Sequence, residues 1–265
     1  MKKILTVILI LIVNIIYSQN YMSGDKLYCE LSEKKDKDLF KLGMDCIKQN
    51  LYIGAASKIF QDLTKKDKAF CDGYFFAGVT FRISNMNREA FLMYYMADSL
   101  SQNKSIEFKQ NLATTSILVN KIDLARKKYT EITNYFPKSP EGYYGIALTA
   151  PMIGDFENGL ENIKIAINKY EEIGPRNSQV KNETELLLGI LLTLNKQYEN
   201  SLSHFEECEG KYKKDDNFNT HFSYSLIQVS KLKNDEKMKK KAFKIFDRII
   251  SKDEVSDEIK KEFKI

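Results

Sequence analysis

Small residues return at a nearly fixed interval along this chain, and no other feature limits its folding so strongly. Gly43, Gly78, Ala113 and Ala147 are separated by 35, 35 and 34 residues. A second small column, Ala55, Ala90, Ala125 and Gly159, keeps the same separations, as does a large apolar column, Ile59, Tyr94, Tyr129 and Ile163. Asn50, Asn85, Asn120 and Gly154 fall between the two small columns at the same steps. Four columns in register imply one supersecondary unit used repeatedly, each copy burying a face that it cannot bury alone.

The next repeat follows after 42 residues, through Gly189, Ser201 and Phe205, with Asn195 near the expected turn. The excess of about eight falls at Gly174, Pro175, Arg176 and Asn177, a helix-breaking composition. A sixth repeat is carried by Ala242, Phe246 and Ile249, its delay lying in the polar stretch 233–238. Within a repeat, Leu39, Leu42 and Cys46, then Ala55, Ile59 and Leu63, follow three- and four-residue steps, which predicts two amphipathic helices. The Asn or Gly column sits where the first helix must stop, and both residue types tolerate a left-handed cap. Small side chains are needed where stacked helices approach closely, and large ones where gaps remain. Only 12 Gly and 4 Pro in 265 residues also argue against an all-β fold rich in turns.

These residues resemble the tetratricopeptide repeat (TPR). In 140–173 the resemblance is carried by Tyr143, Ile146, Ala147, Ala150, Gly159, Ile163 and Ala166. In 71–104 it is carried by Tyr74, Ala77, Gly78, Phe81, Ala90, Tyr94 and Ala97, and in 106–139 by Leu112, Ala113, Ala125, Tyr129 and Pro137. The chain departs from the pattern at the first signature position, where Lys109 and Glu185 replace the aromatic. The resemblance implies an all-α, right-handed superhelical solenoid of about six helix pairs across 36–251. Segment 252–265 is expected to cap it, since Val255, Ile259 and Phe263 share one helical face.

The resemblance further implies a protein- or peptide-binding module whose ligand lies on first helices lining a concave face. Its contact positions fall here on Phe40, Met44, Phe75, Arg82, Gln110, Thr114, Tyr144 and Leu148, with Asn111 beside them. A scaffold for self-association or docking within an envelope complex is the alternative. The family's carboxylate clamp is not expected, because only Asn111 has a matching residue type.

Residues 1–18 pair Lys2 and Lys3 with an apolar run ending at Ile16 and a small Ser18, the plan of a secretory signal. We therefore expect export to the periplasm or beyond, with 19–35 as a lead-in. The tail of that signal, together with the preference for Lys over Arg, resembles exported proteins of flavobacteria. Without the signal the formal charge falls from +5 to +3, too small a basic excess for a nucleic-acid binder. The excess is concentrated after residue 230, and Lys237, Lys239, Lys240 and Lys241 are a candidate contact to an anionic envelope surface.

His204 and His221 lack metal-ligand spacing, and no Walker loop, G-x-S-x-G elbow or C-x-x-C is present, so neither a catalytic centre nor a cofactor is expected. Four cysteines in an oxidising compartment suggest a disulfide. Cys46 and Cys71 lie at opposite ends of parallel helices, about 15 Å apart at 1.5 Å per residue, too far for a bridge. Cys208 lies four repeats away. Cys29, just before the first repeat, is the predicted partner of Cys71.

Overall fold

A computed structural model describes residues 27–265; the expected export signal at 1–18 and the start of the lead-in lie outside the described residues. Thirteen α-helices and one 3-10 turn make up its regular structure, with no strand among the described residues. Six helix pairs follow one another. They are α1 Lys34–Lys48 with α2 Ile53–Lys66, α3 Cys71–Ile83 with α4 Asn87–Leu100, and α5 Ile106–Leu118 with α6 Ile122–Tyr135. Then come α7 Pro140–Ile153 with α8 Phe156–Ile173, α9 Ser178–Leu194 with α10 Tyr198–Tyr212, and α11 Asp216–Lys233 with α12 Glu236–Phe246. A 3-10 turn, Lys252–Glu254, leads into α13, Asp257–Phe263. The chain is an all-α helical repeat, as its columns required.

Each first helix is stopped by a residue in the left-handed region. Asn50, Asn85, Asn120 and Gly154 have φ of 50°, 58°, 59° and 79°. In the fifth repeat the role passes to Lys196 (φ 60°), one residue beyond Asn195. The small columns are close approaches. A Cβ on Gly78 would sit 2.7 Å from the Tyr94 ring, and one on Gly189 would sit 3.0 Å from Phe205. Ala90, Ala125 and Ser201 are fully buried.

The first repeat departs from the expected frame. Ala56 and Phe60 are its buried pair, whereas Ala55 is exposed and Ile59 half-buried. The cause is a connection one residue longer than its equivalent between α3 and α4, with Tyr52 also left-handed (φ 54°), which starts α2 one position late. Phe60 then packs beneath Gly43, where a Cβ would meet its ring at 2.7 Å.

Two compact halves, 27–142 and 143–265, each hold their own core. The N-terminal core is aromatic: Phe40 meets Phe60, Phe70 and Phe76 edge-on at 5.4–5.6 Å, and Phe75 stacks on Phe108 at 4.7 Å. In the C-terminal half, Phe205, Phe218, Phe222 and Phe246 form the centre. Val255, Ile259 and Phe263 close it from α13, with Phe263 stacked on Phe246 at 3.9 Å.

The two charged residues at the aromatic signature position are buried with partners. Lys109 is 1% exposed and bonds Asp98 of α4 at 3.1 Å and Glu131 of α6 at 2.7 Å, while Lys128 bridges the same two carboxylates. Burial works against the charge on Glu131, but the two ammonium groups outweigh it and hold the carboxyl below its ordinary range. Glu185 accepts from His204 Nδ1 at 2.6 Å and pairs with Arg176 at 3.4 Å, so the inserted loop supplies one of its partners.

Candidate functional site

The strip of first-helix residues expected to contact ligand does not form an open surface. Phe40, Met44, Phe75 and Tyr144 are all buried, at most 5% exposed. Phe40 packs on Phe60, Phe70 and Phe76, and Phe75 on Phe108, so anchors expected for a partner serve the core instead. Arg82, Gln110, Asn111, Thr114 and Leu148 are half-buried. Arg82 bonds the Asn87 side chain, Gln110 donates to Glu141 at 2.9 Å, Asn111 donates to the Glu107 carbonyl at 2.9 Å, and Thr114 lies 3.2 Å from the Tyr129 hydroxyl.

Part of the N-terminal half is covered by the chain itself. Cys29 and Cys71 form a disulfide with Cα atoms 5.6 Å apart. The neighbouring Asp72, second residue of α3 and fully buried, accepts the backbone N–H of Tyr28 at 3.1 Å and that of Cys29 at 2.7 Å. The Tyr28 hydroxyl donates to Glu107, second residue of α5, at 2.9 Å, and its ring meets Phe108 edge-on at 5.3 Å. Leu31 completes the seal, 5% exposed within the core. Cys29, Cys71 and Asp72 are also the one group of described residues with metal-ligand proximity, but the two sulfurs are spent on each other.

The C-terminal half carries a cleft of about 320 Å³. One wall is α11, which presents Asn217, Thr220 and Tyr224, with His221 beside them. The opposite wall is the segment from Ile249 to Ile259, through Glu254, Val255 and Glu258. Leu194, Lys196 and Tyr198 at the α9–α10 turn and Phe156 of α8 close one end. A shallower recess shares Phe156, Leu194 and Lys196 and continues the surface towards Gly154 and Asp155.

Local sequence explains each wall. Asp215 caps α11 by accepting the Phe218 N–H at 2.8 Å, which places Asn217, Thr220 and Tyr224 one turn apart on a single face. Asp216 accepts the backbone N–H of Ile250 at 3.0 Å and of Ser251 at 2.8 Å, pinning the start of the second wall. Ser256 caps α13 through the Ile259 N–H. Tyr224 donates to Glu258 at 2.8 Å, tying the walls together, and meets the Tyr198 ring edge-on at 5.7 Å.

Burial dominates the electrostatics of the cleft. Burial, then the Glu258 carboxylate, pushes the Tyr224 phenol well above its ordinary value, so it stays a donor. His221 is 6% exposed; burial lowers its pKa, and its Nδ1 lies 2.9 Å from the Asn217 carbonyl. Thr220 donates to the Asp216 carbonyl and Thr193 to that of Gly189. No hydroxyl of the cleft hydrogen-bonds His221 among the described residues. Outside the cleft, burial and then Glu185 push the Cys208 thiol up to about 12, which leaves it unreactive.

None of the nine residues expected at the site lines this cleft. The sequence signals for it were the capping segment after residue 252 and the tyrosines at 198 and 224. A repeat frame assigns such residues to packing and does not show that the cap stands off α11. In the basic cluster, Lys239 pairs with Glu236 and Lys241 with Glu206, each at under 3 Å on exposed side chains, and Lys241 also lies over the Phe222 ring.

No protein-family model matches the sequence, and no curated protein matches it. Solved structures do share its fold. A chain of the APC/C hetero-tetramer Cut9–Hcn1 is 16% identical, with a TM-score of 0.60 over 86% of this chain and 42% of that one. This chain therefore spans less than half the length of that match. MamA from Desulfovibrio magneticus RS-1 (residue 41 to the end) is 13% identical, with a TM-score of 0.58 over 70% of this chain and 99% of that one. YrrB, a TPR protein described as having an unusual peptide-binding site, is 12% identical, with a TM-score of 0.53 over 77% and 97%. The shared fold is of the TPR type.

Proposed function

We propose that this chain is an exported TPR-family protein without a catalytic centre, which binds an extended segment of another protein in the cleft between α11 and the 249–259 wall. The observation that carries the reading is the cleft itself. It joins an apolar floor to two tyrosine rings and a few polar groups, the composition of a ligand site, and the adjoining recess lengthens it along the turns. YrrB, a protein of the same fold, is described by its peptide-binding site, which makes a peptide a reasonable occupant. Export is supported by the charged and apolar plan of residues 1–18 and by the Cys29–Cys71 disulfide, since such bonds persist in oxidising compartments.

The test is to fill the cleft. Thr220→Trp places a large ring between the walls, and peptides selected on the wild-type chain should lose affinity for it at unchanged helicity. Retained affinity in the folded variant would reject the cleft as the site. Export is checked by finding the chain in the envelope or medium with its N-terminus at or near residue 19.

A second reading, docking within an envelope complex, is favoured by one surface. Leu92, Tyr95 and Met96 on α4 are 56%, 47% and 37% exposed and form an apolar strip.

A further inference from the structure

The cleft is not evenly charged, and its asymmetry identifies the chemistry of what it receives. Its floor and sides are apolar, through Leu194, Val255 and Ile259 and the faces of Tyr198 and Tyr224. Three carboxylates line it, Asp216, Glu254 and Glu258, against a single cation, Lys196. The three carboxylates differ in what they already hold. Asp216 is occupied by two backbone N–H groups of the opposite wall. Glu258 receives the Tyr224 hydroxyl on Oε1, which leaves Oε2 facing outward on an exposed side chain. Glu254 is exposed and has no ion pair among the described residues, although Lys252 lies two positions away and pairs with Asp247 instead.

Two neighbouring acids therefore stand on the same wall as the apolar floor, one on the 3-10 turn and one in the first turn of α13. The helix dipole of α13 is already met by the Ser256 cap and by Asp257 and Glu258. Local charge is thus opposite in sign to the net charge of the surrounding C-terminal third. Among the lysines of that region, Lys231, Lys233, Lys239 and Lys241 pair with Glu262, Glu199, Glu236 and Glu206, and Lys260 beside the wall donates to the Asp253 carbonyl.

We infer that the cleft selects an extended peptide segment bearing an apolar side chain next to a lysine or arginine. The apolar group seats on Val255, Ile259 and the tyrosine rings, and the neighbouring cation reaches Glu254 and Glu258. Asn217, whose side-chain amide makes no hydrogen bond among the described residues, is placed on the α11 wall to meet the peptide backbone. This inference rests on the peptide-binding reading given above and adds the charge of the ligand to it. Opposed charge at an interface sets partner choice and on-rate more than total affinity, and exposed pairs weaken with salt.

The experiment is an array of labelled heptapeptides with Leu, Ile, Met or Phe at the centre and Lys, Arg, Gln or Glu on either side, titrated against the mature chain by fluorescence polarisation. Lys and Arg peptides should bind about tenfold tighter than their Glu counterparts at low salt, equivalent to about 1.4 kcal/mol. The ratio should collapse in 0.5 M salt. Glu254→Gln alone should reduce the preference, and Glu254→Gln with Glu258→Gln should abolish it. Equal binding of basic and acidic peptides, or a preference for Glu, would overturn the charge inference and leave the peptide site standing. Failure of every peptide to bind, or binding that Thr220→Trp leaves intact, would overturn both.

Discussion

The two halves use the same device to hold an extended piece of chain, with opposite results. In the N-terminal half, Asp72 at the start of α3 accepts two successive backbone N–H groups, those of Tyr28 and Cys29. In the C-terminal half, Asp216 at the start of α11 accepts those of Ile250 and Ser251. Each grip is accompanied by a tyrosine–glutamate bond, Tyr28 with Glu107 and Tyr224 with Glu258. The first segment is covalently stapled at Cys29 and laid against Phe108 through Tyr28. The second carries its own helix, whose Phe263 anchors on Phe246 and leaves a cleft beside α11. The difference teaches that a carboxylate at a helix start determines where a segment lies, whereas its second anchor decides whether a cleft remains.

The staple gives the sharpest way to break this comparison. Closing the 42-residue separation between Cys29 and Cys71 contributes about 4 kcal/mol in the chain-entropy model. Cys29→Ser, or a reductant, should lower the unfolding free energy by about that amount, and peptide binding in the C-terminal half should not change. A smaller effect separates the two aspartates. Asp72→Ala removes a fully buried acceptor and leaves two amides unsatisfied, at about 2–3 kcal/mol. Asp216→Ala, at a half-exposed position where water replaces the carboxylate, should cost about 1 kcal/mol. Equal costs by urea denaturation would show that burial does not distinguish the grips.

Glu183 extends the comparison to a carboxylate with no chain segment on it. It occupies the same repeat column as Asp72 and Glu107, is 2% exposed, and receives the Gln179 side chain at 3.0 Å. Burial pushes its pKa up to about 7 from an ordinary 4.5. Below 4.5 the group is protonated folded or unfolded and costs nothing. As pH rises to about 7 the unfolded chain releases the proton while the fold retains it, so stability is lost across that window. Glu183→Gln should therefore stabilise by about 1–3 kcal/mol at pH 8 and have no effect at pH 4. The smallest effect belongs to Tyr224→Phe, which unties one hydrogen bond between the cleft walls and should cost under about 1 kcal/mol. Its value lies in binding, since a wall set free should relax selection among peptides.

The repeat was legible because its columns record close contacts. Gly78 faces Tyr94 and Gly189 faces Phe205 at distances too tight for an unshifted Cβ, and the column stays small, as Ala113 and Ala147, in the copies between. The left-handed stops were legible for the same local reason. The slip in α2 was not, since one added residue in a turn leaves every side chain plausible in either frame. The cleft was hidden for a different reason. Positions implied by resemblance hold aromatic rings here, and a sequence does not distinguish a ring awaiting a partner from one stacked on the next helix, as Phe75 is on Phe108. The cleft residues belong to a junction between the last repeat and its cap, which occurs once and so has no periodicity to betray it.

Lys109 has a consequence for how such a chain can be cut or rearranged. Its charge is met by Asp98 from the repeat before and Glu131 from the helix after, both shared with Lys128, and by the face of the Tyr135 ring. Removing either acid leaves a charge buried without compensation, a loss of about 3–5 kcal/mol. The third repeat is thus keyed to the one before it through Asp98, and making it the first of a shortened chain would strip its two lysines of that partner. Across α4, α5 and α6 the order is marked by charge as well as by packing, because one set of ions is shared among all three.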